Sequence, residues 1–189
     1  MAALLEIRWH GRGGQGAKTA AQVLAETAMD TGAYIQAFPE YGPERAGAPM
    51  QAFTRISEDP INLHSGVHEP DIVVVLDPSL LSTVDVTAGL KEDGMLLVNT
   101  SGDPSQVAEE CGCAKERVAT VDASRISTET LGRAMPNLPM LGALVKIREI
   151  IGFDELEQGI RKKMEHKIGK EKTDANIRGA RRAWEEVKT

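Results

Sequence analysis

The run Asp71-Ile72-Val73-Val74-Val75-Leu76, framed by Pro70 and by Asp77-Pro78, constrains the fold more than any other segment. A near-continuous β-branched stretch has no polar face to show to water. A strand of this kind is covered on both sides, as in a parallel sheet with helices on each face. Residues 94–99 read the same way. Shorter strands are expected at 4–10, 34–38, 50–56 and 117–121. Helices are expected at 17–30, with Gly32 closing the first, at 78–88, with Pro78 in the first turn, and at 104–111 and 124–134. Residues 135–139, Met-Pro-Asn-Leu-Pro, are expected to interrupt the chain. Helices then follow at 140–151, 154–167 and 171–188. Strands alternating with helices predict an α/β fold: a three-layer α/β/α domain with a mostly parallel, Rossmann-like sheet. The 189 residues, 41% of them apolar, suit one domain with a packed core. A core over about residues 1–150 and a helical extension over about 151–189 are expected.

Between the first strand and the first helix lies Gly11-Arg12-Gly13-Gly14-Gln15-Gly16. Glycines here permit a tight turn and close backbone approach, and the following helix N-terminus offers N–H groups to an anion. Arg12, Gln15 and Lys18 add side-chain donors. A ligand-free tight turn is the competing reading. The spacing is not a P-loop, because Ala17 pushes Lys18 one place too far. A dinucleotide site would want an acid at the end of the second strand, and Glu40 is the candidate. A free-standing nucleotide-binding Rossmann-like domain, a dehydrogenase or a regulatory module, is therefore the alternative function.

Other chemistry is sparse. The four histidines are scattered, and Cys111 and Cys113 are the only cysteines. An iron–sulfur cluster on this chain's own thiolates is excluded, since the usual cluster takes four. No catalytic residue and no metal ligand set is expected. His10, beside the glycine turn, reads as a ligand contact or as a satisfied strand-end histidine. Residues 39–49, Pro-Glu-Tyr-Gly-Pro-Glu-Arg-Ala-Gly-Ala-Pro, form a stiffened loop. Its Glu40, Tyr41, Glu44 and Arg45 suit an interface, because a rigid segment loses little entropy on docking. The net charge is −6, yet residues 161–189 hold ten Lys or Arg against five Asp or Glu. This tail reads as a docking face for an acidic surface or as a solvated helix face. An acidic chain is a poor general nucleic-acid binder. No run is long enough to span a membrane. Met1-Ala2-Ala3-Leu4-Leu5-Glu6 lacks a secretory leader's pattern, so a cytoplasmic location is expected.

Several of these segments carry a resemblance. They are Gly11–Gly16, Phe38-Pro-Glu-Tyr-Gly-Pro-Glu-Arg45, Gly47-Ala-Pro49, Phe53-Thr-Arg-Ile56, residues 69–78, and Pro136-Asn-Leu-Pro-Met-Leu-Gly-Ala143. Together they resemble the gamma subunits of pyruvate:ferredoxin oxidoreductases (pyruvate synthases), in the 2-oxoacid:ferredoxin oxidoreductase family. Ala46 and Leu138 depart from the arginine or glycine and the threonine usual at those places. The resemblance implies a complex that decarboxylates a 2-oxoacid on thiamine diphosphate with Mg. Electrons leave through 4Fe–4S clusters to ferredoxin, and the acyl group goes to coenzyme A. It implies partner alpha, beta and delta subunits that own the thiamine site and the clusters. This chain would be a non-redox subunit with no activity alone. It would organise the complex, with Asn137 joining the interface set and the glycine turn holding coenzyme A phosphates.

Overall fold

The computed structural model describes residues 4–41 and 47–189, leaving aside the side chain of Tyr41. Six strands form one sheet: β1 (Leu4–Arg12), β2 (Tyr34–Tyr41), β3 (Pro49–Ser57), β4 (Ile72–Val75), β5 (Met95–Asn99) and β6 (Val118–Val121). Their order is β2-β3-β1-β4-β5-β6. β1, β4, β5 and β6 pair in parallel. β3 runs antiparallel to both β1 and β2, so it alone is reversed. The mostly parallel sheet expected from the sequence is present. Its one reversal follows from the short β2–β3 connection, which allows a hairpin but no crossover.

One face is covered by α1 (Ala17–Asp30), α3 (Ala123–Leu131), α4 (Asn137–Ile147), α5 (Phe153–Ile168) and α6 (Lys170–Glu186). The other is covered over β4–β6 by α2 (Pro104–Cys111) and by residues 78–90. Val73 and Val75 face one layer while Val74 faces the other, which is why the run is apolar throughout.

Two expectations need correction. The helix expected at 78–88 is a single 3-10 turn, Pro78–Leu80, followed by further turns. Asp77 starts it by accepting the Ser79 N–H, but Ser82 and Thr83 hydroxyls then take the Ser79 carbonyl. Asp85 accepts from Thr87, and Arg8 takes the Val86 and Ala88 carbonyls. Local side-chain bonds thus outcompete a helix in a Ser/Thr/Asp-rich segment. The break expected at 135–139 is also misplaced. α4 already starts at Asn137, because Pro139 lies in the first turn, where no N–H is needed.

The other face of β1–β3 is unusually polar. Arg55, 1% exposed, bonds Glu6 and Gln36 and donates to the Ser65 and Gly66 carbonyls. Gln36 also reaches the Ile61 and Leu63 carbonyls, and Arg8 reaches Val67. These side chains strap the irregular segment 58–70 onto the sheet. α4 and α6 meet through small residues: a Cβ on Gly142 would stand 2.0 Å from the Ala180 carbonyl oxygen. Much of the tail's positive charge is already paired at the surface. Arg161 pairs with Glu157, Glu165 and Asp174, Lys162 with Asp30, Lys163 with Glu26, and Arg182 with Glu129 and Glu186. Lys188 exchanges both backbone hydrogen bonds with Thr120 of β6.

Candidate functional site

β1 leads through α1 to one side of the sheet, and β4 leads on to β5 and β6 on the other. The crevice between the ends of β1 and β4 is therefore the topological switch point, where open α/β sheets bind ligands. The glycine turn lies there. Gly14 and Gly16 hold φ of 97° and 83°, which a side chain would strain. Gly16 is also crowded: a Cβ would stand 2.5 Å from Asn137 Nδ2. That amide donates to the Gly16 carbonyl at 3.4 Å, so Asn137 ties the start of α4 to the start of α1. Its Oδ1 is buried with no partner among the described residues. Leu138 is fully buried in the core.

The side chains of the turn converge on a residue that the sequence reading did not single out for the site. Gln15 Nε2 donates to Asp77 Oδ2 at 2.7 Å, while Gln15 Oε1 accepts the Arg12 N–H at 2.8 Å. Arg12 Nε lies 3.2 Å from Asp77 Oδ2. Arg12 also donates to Ser79 Oγ at 3.0 Å and to the Gly47 carbonyl at 3.2 Å. Burial works against the charged form of Asp77. Hydrogen bonds from Ser79 and Gln15 and the charge of Arg12 outweigh it and hold the carboxyl below its usual range. The turn thus already holds an anionic group, and that group is its own. An aspartate that ends a buried strand and is followed by Pro-Ser was the available signal.

Among the described residues α1 has no side-chain cap and no acid in its first turn, and Lys18 is exposed there. The hairpin end is part of the same edge. Arg12 pairs in register with Pro49, and Gly13 N–H bonds the Ala48 carbonyl at 3.3 Å. The glycine turn, the start of the 39–49 segment's return strand and Asn137 are therefore brought together. Glu44, Arg45 and the Tyr41 side chain lie outside the described residues. Residues 39–41 belong to β2 rather than to a loop. Glu40 does not meet the turn: β3 separates β2 from β1, and the Glu40 carboxylate lies by Gly66 instead. That puts it two strand spacings, roughly 10 Å, from β1, whereas a dinucleotide site carries its acid on the adjacent strand.

His10 accepts a hydrogen bond from Arg8 Nε at 3.1 Å. Burial, and then the neighbouring Arg8 charge, lower its pKa to about 4 from the usual 6.5. The unfolded chain therefore takes up a proton at a pH where the folded chain does not. Stability is full above about 6.5 and falls as the pH drops toward about 4, by up to about 3 kcal/mol. Urea midpoints across that range are expected to show this slope, and His10→Gln is expected to flatten it. Cys111 has its thiol pushed up to about 11 by burial, with Cys113 and Glu110 adding to the shift. That is the opposite of a metal-ligating thiolate. No group of three or more His, Cys, Asp or Glu suited to a metal occurs among the described residues. No helix among them is long and apolar enough to cross a membrane.

These features define a Rossmann-like α/β domain whose glycine turn pairs with Asp77 at the switch point, with no metal-ligating group among its described residues. A family profile described as pyruvate ferredoxin/flavodoxin oxidoreductase matches residues 6–186. The chain is 50% identical to pyruvate synthase subunit PorC of Thermotoga maritima, over 97% of this chain and 94% of the relative. It is 48% identical to the pyruvate/ketoisovalerate oxidoreductases common subunit gamma of Pyrococcus abyssi, over 97% of each. The crystal structure of pyruvate oxidoreductase subunit PORC from Thermotoga maritima superposes with a TM-score of 0.86 at 47% identity, covering 98% of both chains. The chain belongs to the pyruvate ferredoxin/flavodoxin oxidoreductase family, as the gamma-type subunit of a multi-subunit oxidoreductase.

Proposed function

We propose that this chain serves a pyruvate synthase, which converts pyruvate and coenzyme A to acetyl-coenzyme A and carbon dioxide while reducing ferredoxin. Its sister chains are alpha, beta and delta subunits in the cytoplasm. The 4Fe–4S clusters belong to those sisters, since two cysteines, one with a raised pKa, do not supply a cluster's thiolates. Thiamine diphosphate with Mg goes to them too, as no acidic group suited to a metal lies among the described residues. The domain is one gamma-subunit unit, with residues 151–189 packed on the α/β core. Its task is to organise the complex and hold coenzyme A phosphates at Gly11, Arg12, Gly13, Gly14, Gln15, Gly16 and Lys18. Glu40, Tyr41, Glu44 and Arg45 supply the docking contacts to the sister chains, and Asn137, 3% exposed, serves that face from behind by tying the turn through the Gly16 carbonyl. The observation that supports this reading most is the bond pattern at Asp77. Arg12 and Gln15 are aimed into the switch-point crevice and grip an anionic oxygen there.

Arg12→Ala in the assembled enzyme is expected to raise the KM for coenzyme A about tenfold, the size of one charge-assisted hydrogen bond. The melting free energy of the chain is expected to change by less than about 1 kcal/mol, because the Arg12–Asp77 pair is partly exposed. An unchanged KM with unchanged assembly rejects the role.

A further inference from the structure

We propose that Asp77 is a built-in competitor for the anion-holding donors of the glycine turn, setting a threshold that only a multiply charged group such as a pyrophosphate crosses. The inference rests on the reading of the turn as an anion cradle. Its basis is that the donors reaching the crevice are engaged by the chain itself. Gln15 Nε2 and Arg12 Nε are on Asp77 Oδ2, and Arg12 also bonds Ser79 Oγ and the Gly47 carbonyl. The Asp77 carboxylate is itself fixed from behind. Its Oδ1 accepts from the Ser79 N–H at 3.0 Å and from Ser79 Oγ at 2.6 Å. The Arg12 and Asp77 side chains keep 30% and 16% of their surface exposed, so an ion from solvent reaches the pair.

A tethered carboxylate competes at high effective concentration. It lowers the affinity of every entering anion by the same factor. A singly charged ion offers Arg12 and Gln15 little more than Asp77 already does, and falls out of the useful range. A pyrophosphate-sized group brings more charge and also meets the uncapped first turn of α1, so it retains affinity after displacing the carboxylate. The displaced Asp77 stays beside the ligand and disfavours a long residence. The site is thereby shaped to take up and release a phosphorylated carrier rather than to keep it.

The test is calorimetric titration of the full chain with inorganic pyrophosphate and with inorganic phosphate. Asp77→Asn keeps the shape and removes the charge. Asp77→Ser keeps an oxygen for the Ser79 N–H and guards against a folding failure of the first variant. Both are expected to bind pyrophosphate roughly tenfold more tightly than the unaltered chain, as expected for releasing one charge-assisted contact. Adding Arg12→Ala is expected to abolish the gain. Pyrophosphate binding that is equal in the unaltered chain and in both variants removes Asp77 as a competitor and leaves the cradle standing. Absence of binding in all of them removes the cradle itself, and the competitor with it.

Discussion

Gly142→Ala is expected to destabilise the chain by about 3 kcal/mol, lowering Tm by roughly 6–12 °C for a domain of this size. Alanine alone would favour the helix by about 1 kcal/mol. The added Cβ, however, lands 2.0 Å from the Ala180 oxygen and 2.7 Å from its carbonyl carbon. These are backbone atoms of α6, so no rotamer change relieves the contact and the two helices must separate. Ala143, Ala180 and Ala183 in the same core would then lose packing along the seam. Gly179→Ala is the internal control. Its nearest neighbour is the Thr130 hydroxyl at 3.0 Å, and a small shift there suffices. Thermal melts of both variants decide the matter. A Gly142→Ala melt within a degree or two of the unaltered chain would falsify the tight seam.

Arg55→Met is expected to have the second large effect, a loss of about 3–5 kcal/mol, typical of removing one partner from a buried ion pair. Methionine preserves most of the side-chain volume, so the effect reports on polar contacts rather than on a hole. Glu6, with 14% of its side chain exposed, would be left without its cation. The carbonyls of Ser65 and Gly66 would lose their donors together, and Phe38 the cation 5.9 Å from its ring centroid. The strap over β1–β3 is therefore expected to loosen as well as the global fold. Amide exchange within residues 61–67 is expected to quicken more than exchange in β4 and β5. Uniform acceleration across all these segments would show that Arg55 supports only global stability and does not hold the strap.

The parallel half of the sheet was legible because β4 and β5 carry no polar residue between Ile72 and Val75 or between Met95 and Val98. The glycine turn was legible because its spacing is dictated by backbone geometry, which is local. Residues 78–88 were misread because Pro78 after Asp77 is a sound helix start. What stops the helix is partly remote: Arg8 of β1 captures the Val86 and Ala88 carbonyls. The partners of Arg12 were not legible for the same reason. Asp77 is far away in sequence, and only the switch-point topology puts it beside the turn. The segment from Pro136 to Ala143 stands out in the sequence as a motif without a local physical cause. The structure supplies two, Asn137 against Gly16 and Gly142 against Ala180. The surplus of basic residues in the tail is plain in the sequence, but a count is silent on pairing. Arg161, Lys162, Lys163 and Arg182 fasten α5 and α6 to acids of the body and to one another.

The Lys188–Thr120 exchange has a consequence for assembly. An uncovered sheet margin invites a neighbouring polypeptide to extend the ladder. Both outward main-chain groups of Thr120 are already taken, so β6 is closed to such an extension. A sister protein that donates a strand has one remaining address, the β2 side, where Pro39 removes a donor. Neighbours elsewhere must be recognised by shape and side chains, and such contacts come apart more readily than a shared sheet.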